Sequence, residues 1–517
     1  MIEMETALKD TIFIDGEHLT LEQVCAAARD KAAVKLHLSG KEKLLRSRKV
    51  VEKIISGGDV AYGITTGFGK FSDVSISQED CDTLQRNIII SHSCGVGEPL
   101  PQDVVRAMML LRANSLVKGY SGVRLELVEL LLNMLNSGIH PVVPCKGSVG
   151  ASGDLIPLSH IALSMIGLSD AEYKGRRIPS QEALQKAGLS PISLTAKEGL
   201  ALINGTQYMS ALGALAVCDA LQLFKGASIA AAMTFEALEG ITDAFDPRVH
   251  EVRPHQGQKF CARLMLRLLQ GSELLEKKRR KRVQDAYTLR CIPQVHGASL
   301  DALNYVKGVL EIEINSATDN PLIFPDGGDV ISGGNFHGQP LALALDFLAI
   351  AVSELGSISE RRTERLVNPS LNGDLPPFLT RNGGLNSGLM LLQYAAAALV
   401  SENKVLSHPA SVDSIPTSGN QEDHVSMGSI AAHKVRTVVE NVSWVIAAEM
   451  LAAGRALGFV SHKAGRGTET ARRLIEERVP FQDGDQILYE ELNQVYDLLR
   501  SGLIAEEVEK AVGGRLC

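Results

Sequence analysis

Aromatic side chains are scarce in this 517-residue sequence, at 4% of the chain with a single tryptophan. Hydrophobic residues still reach 45%, so the apolar content is mainly Ala, Leu, Val and Ile. Long segments rich in Ala, Leu and Glu favour helix, because those side chains lose little rotamer freedom there. Paired cysteine motifs are missing. Cys25, Cys81, Cys94, Cys145, Cys218, Cys261, Cys291 and Cys517 are scattered, with no Cys-x-x-Cys, which reads as reduced thiols in a cytoplasmic protein and argues against a disulfide frame or zinc site. A strong charge of one sign is missing too. The net charge of −8 gives no reason to expect a polyanionic partner. The one basic run, residues 277–282, has no interleaved aromatics and no second basic segment, so it reads as a solvated helix end or loop and not as a nucleic-acid patch. The first ten residues are polar and acidic, without the apolar stretch of a secretory leader. Apolar runs are short, that from Leu341 to Val352 being interrupted by Asp346, so no membrane span is expected.

What is present is helical periodicity. Val104 to Leu135 reads as two helices broken near Gly119-Tyr120-Ser121-Gly122. Gly205 to Leu238 is apolar on nearly all faces, which suits a helix buried in a bundle. Pro340 sits where a first helical turn tolerates it, and apolar periodicity then runs to about Leu366. Ser426 to Leu457 is another long helix, and Ile487 to Val512 holds at least one more. Thr11 to Ile14 is the clearest strand. The pattern predicts a mostly α protein, with a loop-rich N-terminal region over 1–203 and a long-helix bundle over 204–517, the two possibly forming one continuous domain. Helices apolar all round need neighbours on every side, and subunit association would supply them.

The most informative segment is Gly147-Ser148-Val149-Gly150-Ala151-Ser152-Gly153-Asp154. Its glycines permit backbone shapes closed to other residues. One reading is a turn into the next helix, capped by Ser152 or Asp154. A nucleophilic serine on a hydrolase elbow needs Gly-x-Ser-x-Gly after a strand; the spacing here differs and prolines precede it. The third reading is a precursor. In a tight bend the amide nitrogen of Gly153 can attack the carbonyl carbon of Ala151. Loss of one water closes a five-membered ring, and loss of the Ser152 hydroxyl leaves an exocyclic methylidene. The product, 4-methylideneimidazol-5-one (MIO), is an electron-poor alkene that no side chain supplies.

Other segments carry polar groups suited to an amino acid substrate. Tyr62 lies in Tyr62-Gly63-Ile64-Thr65-Thr66-Gly67-Phe68-Gly69, and a phenol with an unperturbed pKa near 10 needs a stabilised phenolate to act as a base. Asn204 opens a very apolar helix, where it could also serve as a cap. Gln284, Tyr287 and Arg290 recur at a spacing that puts successive members near one face, and an Arg fork matches a carboxylate. Phe336 follows Gly333-Gly334-Asn335. Glu422-Asp423-His424 could suggest a metal site, but neighbours in sequence splay apart and no further ligands complete a shell, so no metal is expected.

Through these motifs, from about residue 12 to 510, the sequence resembles the aromatic amino acid ammonia-lyases. The resemblance implies a homotetramer with active sites shared between subunits. It implies MIO made from Ala151-Ser152-Gly153 as the only cofactor, Tyr62 as the base that takes the substrate's β-proton, and Tyr287 assisting at the electrophile. Asn204 would bond the ring or the substrate carboxylate, Gln284 and Arg290 would hold the substrate, and Phe336 would line the pocket. Ser91-His92 is similar to the members acting on histidine, where those acting on tyrosine resemble His-Leu and those acting on phenylalanine Phe-Leu. Glu422 could accept an imidazole N–H that a phenyl ring lacks. The implied reaction is elimination of ammonia from L-histidine to trans-urocanate, the first step of histidine degradation, with attack on the methylidene by the amine or by the imidazole ring both left open. An aromatic lyase or 2,3-aminomutase on the same scaffold is the nearest alternative.

Overall fold

The computed structural model describes residues 11–57, 63–64, 66–67, 69, 76–77, 80–275, 282–482 and 484–517. Helix dominates them, as the apolar periodicity predicts. Helices Gln102–Val117 and Leu125–Ser137 flank the predicted break, and Gly119 and Gly122 both take positive φ between them. Gln207–Ala237, Gln339–Val367 and Gly428–Leu457 are the longest helices, each within a few residues of its expected bounds. The tail forms two helices, Leu488–Arg500 and Leu503–Val512.

The chain divides into two compact units. The first comprises residues 1–218, 307–346 and 409–433. It holds all the strands seen among the described residues, in small sheets: Ile12–Ile14 pairs in parallel with Val34–Leu36, and Ile139–Pro141, Asp170–Tyr173 and Arg176–Pro179 form an antiparallel set. The second comprises 219–306, 347–408 and 434–517 and is helical. Its core buries Phe224, Phe235 and Phe245 beside a fully buried ion pair, in which Arg362 meets Glu449 through two bonds of 2.6 and 2.9 Å. Thr234 and Ser359 donate to the same carboxylate, so every oxygen of the buried acid is occupied.

Gln207–Ala237 and Gln339–Val367 are long and apolar enough to cross a bilayer by length and composition alone; within the second, the buried Asp346 carboxylate accepts the Ser411 N–H at 2.8 Å. Both helices are mostly buried by the protein around them, as core helices are. Cys25 and Cys218 are joined as a disulfide, so not all eight thiols stand apart. Folding brings helix Leu21–Arg29 to the long helix that starts at Gln207, a proximity hidden by 193 residues of chain.

Candidate active site

The Ala151-Ser152-Gly153 loop leaves the short strand Pro144–Lys146, which pairs with Val96–Pro99. Gly150 and Gly153 both adopt positive φ, +72° and +74°, and a Cβ on Gly153 would stand 2.1 Å from the Gly205 carbonyl oxygen. No other residue fits there. Gly153 bridges to Gly205, and the Asp154 N–H donates to Gly205 O at 2.7 Å. On the other side Ser426 Oγ donates to Gly150 O at 3.1 Å and Met427 N to Val149 O at 3.0 Å. Ala151 packs among Val425 and Met427, while the Ser152 side chain stays partly exposed. A tight bend braced from both sides, with a glycine where the attacking nitrogen must be unobstructed, fits the residues that MIO formation requires.

Asp154 takes the N-cap position of helix Leu155–Met165 yet makes no side-chain bond to it. Its fully buried carboxylate accepts instead from the backbone N–H of Tyr208 (3.0 Å) and Met209 (2.9 Å) and from Ser429 Oγ (2.9 Å). The loop is thereby tied to the positive end of helix Gln207–Ala237. Burial pushes the Asp154 pKa up to about 7, against those three donors.

Glu422 closes the site opposite Ser152. Ser152 Oγ donates to Glu422 Oε1 at 3.2 Å, and Thr417 Oγ1 to Oε2 at 2.7 Å. Thr417 and Glu422 also pair through the backbone across a turn in which Ser418, Gly419 and Asn420 all have positive φ. Gly69 lies against Ser418, 3.2 Å from its Oγ to a Cβ built on the glycine, so this one glycine abuts the turn that carries Glu422. Tyr62 and Thr65 of that loop lie outside the described residues, as do residues 277–281 of the basic run. Arg282, at the end of that run, pairs with Asp285 at 2.6 Å.

His92 ends helix Cys81–His92, with Nδ1 3.1 Å from Ser91 Oγ. Burial holds its pKa below the ordinary histidine value, although a bond to the Ile88 carbonyl and the nearby Glu422 charge pull the other way. Phe336 is half-buried on the turn before His337, whose ring stacks on His424 at a centroid distance of 5.9 Å. Asn204 is buried at the end of helix Glu198–Ile203, its Nδ2 donating to Asn320 O at 2.8 Å.

Ser152, His92, Asn204, Phe336 and Glu422 all belong to the first unit; Gln284, Tyr287 and Arg290 belong to the second. There, Tyr287–Arg290 is a single helical turn, with Gln284 exposed in the bend before it. The Arg290 guanidinium lies over the Tyr287 ring, 4.5 Å from its centroid, and 70% of Tyr287 is exposed. Gln284, Arg290 and Gln294 line a cavity of about 290 Å³, and Arg290 Nε and Gln294 Oε1 are buried without a protein partner. Sequence reasoning missed Thr417, Lys197, Asp319 and the bonding role of Asp154, none of which sits in a recognisable local pattern.

A model of the aromatic amino acid lyase family matches residues 19–477. The chain belongs to that family. It is 60% identical over 503 residues to the histidine ammonia-lyase of Caldanaerobacter subterraneus subsp. tengcongensis, spanning 97% of this chain and 99% of that relative. Among solved structures, the histidine ammonia-lyase of Trypanosoma cruzi superposes with a TM-score of 0.91 at 44% identity, over 97% of this chain and 95% of the other. A tyrosine aminomutase from Streptomyces globisporus superposes at 0.94 with 37% identity, over 98% and 100%. The same lyase scaffold thus carries eliminations and amine migrations, and backbone similarity alone does not separate them.

Proposed function

We propose that this lyase eliminates ammonia from L-histidine to give trans-urocanate, the first step of histidine degradation. The observation that carries the reading is the Glu422 carboxylate, 3.2 Å from the Ser152 hydroxyl and close enough to His92 to act on its proton affinity. A carboxylate at that position accepts an N–H from the imidazole of the substrate, a donor that a phenyl ring lacks. His92 offers a second hydrogen-bonding group to the same ring.

Formed from Ala151-Ser152-Gly153, MIO supplies an electron-poor alkene that draws electron density from the substrate. Everything else falls to side chains. Arg290 holds the substrate carboxylate through its fork, with Gln284 beside it. Tyr62 takes the β-proton as a phenolate and Tyr287 assists at the reacting end. Asn204 bonds the electrophile or the carboxylate, and Phe336 keeps water from the pocket. No metal or external cofactor takes part. As the C–N bond breaks, its electron pair leaves with ammonia, and the β C–H pair becomes the new double bond of urocanate. A homotetramer with sites shared between subunits, located in the cytoplasm, completes the proposal.

The test is product analysis with the purified chain. One ammonia and one trans-urocanate per histidine consumed are expected. A β-amino acid product, or turnover of tyrosine or phenylalanine without histidine, would overturn the reading.

A further inference from the structure

Behind Asn204 lies a buried charge cluster. Lys197 Nζ and Asp319 Oδ2 pair at 2.6 Å, with both side chains fully buried. The other oxygen of Asp319 faces Asn204 Nδ2 at 3.4 Å and accepts the Asn320 N–H at 2.7 Å. Arg112, equally buried, donates to the Asn204 carbonyl oxygen. Lys197 and Asn204 flank the same six-residue helix, Glu198–Ile203, as its N-cap and C-cap. One carboxylate therefore clamps both ends of that helix, and Asn204 is followed by Gly205, whose N–H reaches Ser152 O at 3.4 Å.

Two features argue that the clamp serves more than folding. A buried ion pair is weak evidence for stability, because desolvation can exceed the Coulombic gain and apolar residues of like volume do as well. Lys197 also holds a left-handed backbone, φ +76°, strain that a non-glycine residue keeps only where its surroundings over-determine it. Burial pulls the Lys197 ammonium below its ordinary range and Asp319 opposes that pull, so the Lys197 charge is held by its partner.

We propose that Lys197 and Asp319 are positioning residues for the lyase reaction, fixing the carboxamide of Asn204, whose neighbour Gly205 bonds the Ser152 carbonyl. The inference rests on the proposed function, because it takes Asn204 as a group that meets electrophile or substrate. Neither ion touches the reacting atoms; both act through Asn204.

A double-mutant cycle on the full chain tests it, with L-histidine as substrate. Lys197→Gln/Asp319→Asn replaces the ions with neutral groups of similar reach. The folded double variant should keep the loss of two waters in its intact mass and show kcat lowered about tenfold with little change in KM. In an Asn204→Ala background the same pair of changes should cost less than about twofold, since nothing is left to position. Equal losses in both backgrounds, or unaltered kcat and KM in the folded double variant, would overturn the proposal. Should the double variant fail to fold, Lys197→Met/Asp319→Asn, which leaves no buried charge unpaired, runs the same cycle with the same two outcomes. If the unaltered chain does not consume histidine, the functional reading has failed instead, and the cycle is run on the aromatic amino acid that the chain does deaminate.

Discussion

Ser152 and Glu422, 270 residues apart, meet through a 3.2 Å hydrogen bond from hydroxyl to carboxylate. The contact places an acceptor beside the serine from which the electrophile would form, and Thr417 holds its other oxygen. Glu422→Ala should lower kcat/KM for histidine about 10- to 100-fold, the worth of a hydrogen bond to a charged group. Steady-state kinetics check this, and phenylalanine turnover, if any, should not fall with it.

Ser91 and His92 end helix Cys81–His92. Ser91→Phe/His92→Leu should cut histidine turnover at least about tenfold and raise the phenylalanine to histidine ratio of kcat/KM, because it removes polar partners of the imidazole and adds apolar wall. A competition assay with both amino acids measures the ratio directly.

Gly153 and Ser152 should part company on mutation. Gly153→Ala forces a Cβ to 2.1 Å from Gly205 O at a φ of +74°, and should destabilise the fold by at least about 1–3 kcal/mol. Ser152→Ala adds no atom and should fold normally while losing nearly all turnover. Thermal melts together with activity separate the two effects.

Asp154 couples stability to pH. Its folded pKa, about 7, lies above the ordinary value of 3.8 because of burial. Between those values the folded state binds more protons than the unfolded state, so this group's contribution to stability falls as pH rises through that window. Asp154→Asn keeps acceptors for the Tyr208 and Met209 N–H groups and removes the titration. Its stability relative to the unaltered chain should therefore increase from about pH 4 to pH 7, as urea melts across that range would show.

The long helices were legible because apolar residues on every face leave few alternatives; Gln207–Ala237 departs from its expected span by only two residues at its start and one at its end. The helix break at 119–122 was legible from its two glycines. The Ser152 loop stood out because three glycines crowd one serine. Lys197 and Asp319 did not, since each reads as an ordinary surface charge until folding closes 122 residues of chain between them. A cap for the next helix is one local reading of Asp154, but the helix N-terminus that its carboxylate bonds begins some fifty residues later. Cys25 and Cys218 were invisible as a pair for the same reason. Local pattern reports local structure, and polar chemistry closed over long loops escapes it.

The central claim is that Ala151-Ser152-Gly153 becomes the electrophile, and the intact mass of the purified chain tests it most directly. The mass should lie two waters below that of the sequence, with the loss mapping to the peptide that contains Ser152 and absent in Ser152→Ala. An unshifted mass in freshly purified chain that turns over histidine would contradict it.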